Sequence, residues 1–349
     1  MRGFSFYPNK FSRIAHYKIV GVYMKKIKRL LFALFSVLCL TVSFGNAVYA
    51  EGDDIYLGGM TAGFSLLTRG AYVMGISDVL TGNGVVSPAK NAGITVGDVI
   101  LSINGQEVND ASDIEKAVTD QSEKMLLVDR CGETLFMGIV PAKDTSGKLR
   151  LGIFIRESVN GIGTVTFIKG DRIASLGHHV SDGSGAPLAI RGGTLYGCEI
   201  TGIIKGERGV PGELRGVFVK KDVLACVDKN LYCGVYGKID DDFDKKSLRK
   251  VETGIGKMGD ATIYSSINGG EPKEYKISIV KAVGSDSSDK NFVIKVTDRE
   301  LLELSGGIVQ GMSGSPILQN GKLVGAVTHV FINDPTRGFG IAVENMLNN

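Results

Sequence analysis

Gly311-Met312-Ser313-Gly314-Ser315-Pro316 places a serine in a tight turn between two glycines. Glycine reaches backbone conformations that are closed to other residues, so the N–H groups of Gly311 and Ser313 can aim at one developing oxyanion beside the hydroxyl. An acyl-transfer nucleophile needs this geometry. Apolar sequence on both sides predicts that the turn joins two strands of a β-barrel. A glycine- and serine-rich turn without chemistry is the alternative for the hexapeptide alone.

Histidine is the residue that most often takes the proton of a serine nucleophile, and the chain has four histidines. His178 and His179 lie in a short loop after the predicted strand 162–168. Polar residues on loops carried by a rigid scaffold are often functional. His329 lies on the apolar stretch 324–331, which follows the nucleophile turn. The fourth, His16, precedes the apparent export signal, so His178, His179 and His329 are the candidates for the base.

The motifs together resemble one family of peptidases. The segment 161–167, the stretch Leu176-Gly177-His178, and the turn 311–316 followed by 326–330 are similar to the stage IV sporulation protein B (SpoIVB) family. These are serine peptidases of endospore-forming bacteria, and the similarity extends from about residue 55 to the C-terminus. The resemblance implies a mainly β fold, with an N-terminal membrane or signal helix, a PDZ domain and a chymotrypsin-like double β-barrel peptidase domain.

The resemblance also implies the catalytic residues. It gives the base to His178, the nucleophile to Ser313 and the orienting acid to Asp298. His179 stands where the family usually has an apolar or small residue, so either ring is a candidate, and His178 is favoured because it directly follows Gly177. Asp182 competes with Asp298 as the acid, and only the resemblance favours Asp298.

Three further residues are candidates for substrate binding. His329 is expected either to form a polar wall of the pocket or to be satisfied by backbone hydrogen bonds. Gly338 and Gly340 lie on the next predicted strand, and their missing side chains would let a substrate backbone approach closely.

A PDZ domain is predicted before the peptidase. Residues 85–105 combine a short helix, a Gly-Asp pair, a strand and an Asn-Gly turn, and residues 108–118 have helical periodicity with Asp110 or Ser112 as the cap. The peptide groove is expected between that helix and the strand Gly63-Phe64-Ser65, as in domains that bind peptides by strand addition. Its ligand would be a peptide or the chain's own N-terminal segment. A PDZ-shaped packing module without a free ligand is the alternative.

The N-terminus has the pattern of an export segment. Basic residues follow Met24, an apolar run spans 30–44, and Val48-Tyr49-Ala50 suits a signal peptidase. Translation from Met1 or Met24, and cleavage or retention as an anchor, are all open. The expected divisions are residues 1–50 for the extension and signal or anchor, 51–143 for the PDZ domain, and 144–349 for the peptidase.

Composition narrows the function classes. The net charge is +3, and no basic stripe predicts nucleic-acid binding. Cys226 and Cys233 could form a disulfide, but no cysteine pair has metal or redox spacing. The acidic run 240–244 is interpreted as a solvated turn. We therefore expect no metal and no cofactor.

The sequence predicts an exported, membrane-tethered or released serine endopeptidase. By resemblance it cleaves a membrane-associated regulatory protein between forespore and mother cell, and it cleaves itself. An inactive PDZ-containing adaptor and an exported quality-control protease are the alternatives.

Overall fold

The computed structural model describes residues 54–181, 185–284 and 289–348, which form mainly β structure. The predicted N-terminal helix and the competing acid Asp182 lie outside the described residues. Within those residues, no helix has both the length and the apolar character that a membrane span requires.

The strands, in chain order, are β1 (Ile55–Leu57), β2 (Thr61–Ile76), β3 (Val79–Thr81), β4 (Gly84–Val86), β5 (Val99–Ile103), β6 (Gln106–Glu107), β7 (Lys124–Arg130), β8 (Glu133–Ile139), β9 (Ala142–Lys143), β10 (Leu149–Arg150), β11 (Ile153–Lys169), β12 (Arg172–Ser175), β13 (Ile190–Ile204), β14 (Glu213–Leu231), β15 (Gly234–Ile239), β16 (Gly259–Ser265), β17 (Lys273–Ala282), β18 (Phe292–Val296), β19 (Pro316–Gln319), β20 (Lys322–Phe331) and β21 (Asp334–Ala342). The α-helices are α1 (Pro88–Asn91), α2 (Ala111–Ala117), α3 (Arg299–Ser305) and α4 (Val343–Leu347), and a 3-10 turn spans Lys245–Ser247.

The first barrel is a ring of antiparallel strands in the order β11, β12, β15, β14, β13 and β2, closed by pairing between β2 and β11. Apolar side chains alternate inward along these strands, as a half-buried strand requires. Its core includes Leu66, Ile168, Leu195 and Val235. The barrel positions the loop that contains His178, because this loop begins at Leu176, directly after β12.

The second barrel closes in the order β16, β17, β18, β21, β20 and β19. Its core is larger and includes Ile263, Tyr275, Ile294 and Met312. Ser313 lies in the turn that leads into β19, which begins at Pro316. The two barrels confirm the prediction of a mainly β, barrel-type peptidase fold.

The PDZ domain shares two strands with the first barrel. β2 and β11 are long enough to serve both, and their pairing continues from Thr164 opposite Thr61 to Ile153 opposite Ile76. β5, β7 and β8 extend this sheet on the PDZ side, and α2 covers a separate apolar core that includes Ile100. The PDZ domain is thus continuous with the barrel through paired backbone.

Several PDZ predictions are confirmed locally. Asp110 caps α2 by accepting a hydrogen bond from the N–H of Asp113 at 2.9 Å. Asn104 and Gly105 both have positive φ and close the β5–β6 hairpin.

The predicted peptide groove at Gly63, Phe64 and Ser65 is wrong. These residues lie in the barrel half of β2, where β11 pairs with one edge and β13 with the other. No edge remains for an added strand. The groove beside α2 is instead lined by Leu151, Gly152, Ile153 and Phe154.

The same packing moves the domain boundary. Leu151 belongs to the buried core of the PDZ domain, although residues from 144 onward are expected in the peptidase. Residues 55–67, expected in the PDZ domain, pair with barrel strands. The divisions therefore interleave, because β2 and β11 each cross from one domain to the other.

The possible disulfide between Cys226 and Cys233 is not formed. Both thiols are free; Cys226 is exposed on β14, whereas Cys233 is buried.

Candidate active site

Backbone hydrogen bonds hold the nucleophile turn, residues 311–316. Gly311 and Gly314 have φ values of 97° and 93°, a region that favours glycine. The N–H of Met312 donates to Val309 O at 3.1 Å, and the N–H of Gly314 donates to Val327 O at 2.7 Å. These contacts fold the chain tightly around Ser313.

Strand β11 of the first barrel fastens the turn from the other side. Thr164 Oγ1 donates to Gly311 O at 2.9 Å, and Thr166 Oγ1 donates to Gly314 O at 2.8 Å. The N–H of Thr164 also donates to Ser313 O at 2.9 Å. Both threonines are buried, so these bonds are shielded from water. The nucleophile turn therefore depends on both barrels.

Two N–H groups of the turn are left available. Among the described residues, the N–H groups of Gly311 and Ser313 make no hydrogen bond, whereas those of Met312 and Gly314 do. Available donors beside a serine can stabilise negative charge that develops on a carbonyl oxygen.

The Ser313 hydroxyl is half-buried and donates to Thr328 O at 2.6 Å. Thr328 lies on β20, which borders the same cleft. In this resting arrangement the hydroxyl proton is held by a backbone carbonyl and not by an imidazole.

His178 follows a strained turn. Leu176 and Gly177 have φ values of 68° and 69°. A side chain at Gly177 would press against Thr328, because a Cβ there would lie 3.1 Å from its methyl group. The turn thus brings His178 beside the strand to which the nucleophile is bonded.

The tautomer of His178 follows from its hydrogen bond. Its Nδ1 lies 2.8 Å from His179 O, which can only accept, so Nδ1 carries the proton and Nε2 is free to act as a base. His179 is held differently. Its Nε2 lies 3.0 Å from Gly185 O, and its ring meets Tyr232 edge-on at 5.1 Å.

The predicted nucleophile and all three candidate histidines line one cleft of about 820 Å3. The cleft also contains polar residues that were not predicted, namely Asp289, Lys290 and Gln310. Its apolar lining consists of Phe64, Ile162, Leu176, Val180, Pro211, Ile308, Val309, Val330 and Ile332.

Burial lowers the pKa of His178 from its ordinary value of 6.5 to about 4, and repulsion from His329 adds to this effect. The hydrogen bond to His179 O and the charge of Asp289 oppose it. The ring is therefore neutral and able to accept a proton at neutral pH.

This pKa predicts a loss of stability in acid. Between pH 6.5 and 4 the unfolded chain protonates at His178 while the folded chain does not, so the free energy of unfolding falls as the pH drops. We expect this residue to contribute at most about 3 kcal/mol to the decline. Urea unfolding across this window measures it. His178→Gln, which cannot titrate there, should show a smaller decline, and an equal decline in both proteins would contradict the assignment.

Asn230 holds the histidine loop. Its Oδ1 accepts from the N–H of Val180 at 2.8 Å, and its Nδ2 donates to Val180 O at 2.8 Å and Leu188 O at 2.9 Å. The side chain is buried at 8% exposure. It joins Val180, the residue directly after His179, to Leu188 at the far end of the same loop.

Replacement Asn230→Leu is expected to leave the Val180 N–H and the Leu188 carbonyl without this partner, while Val180 O keeps its bond from the Leu188 N–H, and to cost about 2–4 kcal/mol. The rate of fluorophosphonate labelling should fall about tenfold or more as the loop loosens. Asn230→Gln, which keeps both the amide acceptor and the amide donor on a longer side chain, should lose less. Labelling at the wild-type rate in Asn230→Leu would show that the loop does not depend on this side chain.

The structure does not bring Asp298 to the predicted site. Its carboxylate caps α3 by accepting from the N–H of Leu301 at 3.1 Å, and it also accepts from the N–H of Lys276 at 3.1 Å. These contacts lie on the β17 side of the second barrel, where Asp298 acts electrostatically on Lys273 and Tyr275. The prediction that Asp298 orients His178 is therefore corrected. The sequence signal, an aspartate before a helix, is that of an N-cap.

Gly338 and Gly340 do not line the cleft and are buried in β21. A Cβ on Gly338 would lie 2.5 Å from His329 O, and one on Gly340 would lie 3.0 Å from Ala326 O. These glycines let β20 and β21 pack closely, so their predicted contact with substrate is corrected. His329 does lie in the cleft, as one alternative predicts.

Sequence reasoning missed Thr164, Thr166, Asn230 and Asp289. The alternation Thr164-Val165-Thr166 could have indicated two hydroxyls on one strand face, next to the recognised motif. Asn230 and Asp289 carry no local signal, because their roles arise from contacts with distant segments. Among the described residues, no cluster of three or more His, Cys, Asp or Glu side chains could hold a metal ion.

Two β-barrels with a serine turn and a histidine loop in their common cleft define a serine peptidase, and this one carries a PDZ domain. The SpoIVB peptidase S55 family model matches residues 147–347, more than half of the chain, and a PDZ domain model matches residues 83–130. The protein belongs to the SpoIVB peptidase S55 family.

Other known proteins are similar over shorter stretches. The chain is 36% identical over 55 residues to serine protease HTRA3 of Mus musculus, covering 16% of this chain and 12% of that protein. It is 39% identical over 64 residues to a probable periplasmic serine endoprotease DegP-like of Bartonella henselae, covering 18% and 10%. The chain thus spans only a small part of these relatives. The active form of the Rv3671c protease from M. tuberculosis matches with a TM-score of 0.30 and 16% identity, covering 54% of this chain and 72% of that chain.

Proposed function

We propose that Ser313 is the nucleophile of this serine peptidase, His178 its general base, and the N–H groups of Gly311 and Ser313 its oxyanion hole. The observation that carries this proposal is the cleft itself, in which Ser313 and His178 lie beside two available N–H donors. Donors of this kind act where charge develops in the transition state.

Catalysis begins with a rotation of the Ser313 hydroxyl away from Thr328 O. Its oxygen attacks the scissile carbonyl carbon while Nε2 of His178 takes the proton, and the carbonyl oxygen becomes an oxyanion facing the two N–H groups. The C–N bond then breaks, and His178 returns the proton to the leaving amine. Water repeats the sequence on the acyl-enzyme and releases Ser313.

Substrate would bind as an extended strand along residues 328–330. The Thr328 carbonyl, once released by Ser313, can accept an N–H of the substrate backbone. The apolar side chains of Val309, Val330 and Ile332 favour an apolar residue beside the cut bond. His329 adds a polar group to the same wall.

The PDZ domain would bind a peptide in the groove between α2 and residues 151–154. Ile153 and Phe154 pair with β2 on one side only, so their other edge is available for an added strand. The ligand would be a peptide of the substrate or the chain's own N-terminal segment. Because β11 continues from this groove into the barrel, binding there would also act on the strand that holds the nucleophile turn.

Family membership supports a role in sporulation signalling. In this role the exported enzyme, held by its N-terminal segment or released by self-cleavage, cuts a membrane-associated regulatory protein in the space between forespore and mother cell. The basic and apolar pattern of residues 24–50 supports export.

Crosslinking in sporulating cells of the source organism tests this role. Full-length Ser313→Ala should retain its substrate and yield a crosslinked membrane-associated protein, and that protein should accumulate uncut and sporulation should stop. Wild-type protein should yield the cut form. Normal sporulation with Ser313→Ala would contradict the role in signalling.

A further inference from the structure

The site needs a negative charge near His178 that Asp298 does not supply. His178 becomes positively charged when it takes the serine proton, and protein atoms around the ring already disfavour that charge. The titratable groups that act on His178 are His179, His329 and Asp289, and Lys290 lines the same cleft and acts on His329. Among these, Asp289 is the group whose charge favours the imidazolium.

Asp289 is anchored at the centre of the site. Its backbone carbonyl accepts a hydrogen bond from Thr328 Oγ1 at 3.1 Å, and Thr328 O in turn accepts from Ser313. Its side chain is 23% exposed. The carboxylate is thus held next to the residue that contacts the nucleophile.

His329 lies between this carboxylate and the base. Its ring packs on that of His178, with centroids 4.5 Å apart and planes inclined by 34°. Its Nδ1 lies 3.7 Å from Asp289 Oδ2 and is a buried polar atom without a hydrogen bond. A small movement of either side chain would close this distance to a hydrogen bond.

We propose that Asp289, acting through His329, takes the orienting and charge-stabilising place that the family resemblance gives to Asp298. The proposal rests on the proposed roles of Ser313 and His178. His329 holds the His178 ring by packing, and Asp289 holds His329 and supplies the negative charge. Both are positioning residues, since neither exchanges a proton with the substrate.

Two needs of His178, a fixed tautomer and a stabilised positive charge, are met by different groups. The tautomer of His178 is already set by His179 O, so no carboxylate is needed for that purpose. A carboxylate a few ångströms away still stabilises the imidazolium, because attraction between partly buried charges is screened less than attraction between exposed ones. Burial lowers the pKa of His329, opposed by the charge of Asp289 and aided by that of Lys290, so the ring is neutral at neutral pH and Asp289 remains the negative charge that acts on His178.

The rate of labelling of Ser313 by a fluorophosphonate, measured on the full chain from about pH 3 to 8 so that the acid limb is covered, tests the proposal without a known substrate. We expect Asp289→Asn to lower the plateau rate about 10- to 100-fold. The acid limb should also move to lower pH, because the lost charge is one that raises the pKa of His178. A purely structural role would not move this limb. Asp289→Glu should recover part of the rate.

Asp298→Asn is the matched control, since asparagine keeps the oxygen that caps α3 and loses only the acceptor for the exposed N–H of Lys276. Its labelling rate should stay within about twofold of wild type. His329→Phe keeps a ring against His178 but cannot contact the carboxylate, so Asp289→Asn should cost less in that background than in wild type, by the part of its effect that passes through His329.

A wild-type rate and acid limb in Asp289→Asn, or a loss in Asp298→Asn equal to or larger than that in Asp289→Asn, would overturn the role of Asp289 and leave the nucleophile and base intact. Labelling that persists in Ser313→Ala would instead contradict the proposed function itself.

Discussion

Ser313→Ala is expected to abolish covalent labelling by a serine-directed fluorophosphonate and to lower peptide cleavage by about 10⁵-fold or more, as loss of a serine nucleophile generally does. The fold should be kept. The Ser313 side chain makes one hydrogen bond, to Thr328 O, and alanine fits the same turn. Labelling followed by gel fluorescence and mass spectrometry measures the effect.

Ser315→Ala is the matched control for this prediction. Ser315 lies in the same turn, but its hydroxyl is buried and donates to Ser265 Oγ at 3.1 Å, away from the cleft. Its loss should cost about 1–2 kcal/mol of stability and leave labelling in place. Labelling that survives in Ser313→Ala but disappears in Ser315→Ala would move the nucleophile to Ser315. Absence of labelling in wild type would favour an inactive, PDZ-containing adaptor.

Gly314→Ala should have the second largest effect, on folding and activity together. With φ at 93°, a Cβ would be strained and would lie 2.1 Å from Thr164 O and 2.5 Å from Leu176 N. Both neighbours are backbone atoms of the first barrel, so neither can move without disturbing β11 or the histidine turn. We expect a loss of at least about 4 kcal/mol and no detectable labelling. Urea unfolding and labelling measure the two effects.

Gly321→Ala separates backbone strain from this clash. Gly321 also has positive φ, 77°, but a Cβ there would have no atom within 4 Å. Its replacement should cost about 1 kcal/mol and leave activity unchanged. Similar losses in the two variants would show that strain alone, and not the contact between the barrels, makes Gly314 necessary.

The acid expected from the sequence is Asp298, whereas the carboxylate that the structure places near His178 is Asp289. This difference shows a limit of prediction from sequence. A motif resemblance places an acid at Asp298, but the local pattern there is also that of a helix cap, and the structure shows the cap. Asp289 stands outside every recognised motif. Its closeness to His329 depends on how the loop before β18 folds over β20, and no short pattern encodes that contact.

The PDZ groove shows the same limit for strands. Residues 63–66 and 151–155 both have apolar strand patterns, so the sequence cannot tell which of them borders α2. Both belong to long strands that run through two domains, and strand pairing decides which half lies in which core. The Leu151-Gly152-Ile153 stretch falls within the range expected for the peptidase, but it packs in the PDZ domain.

The sequence by itself determined the parts of this protein that depend on neighbouring residues: the serine turn with its two glycines, the Gly-His loop, the capped PDZ helix and the β-rich class. These follow from backbone preferences and side-chain alternation, which act over a few positions. The tertiary structure alone decided which carboxylate lies near His178, which strand edge stays open and how β11 holds the turn that contains Ser313. Those features depend on strand register and barrel closure, which bring together charges and backbone groups more than a hundred residues apart.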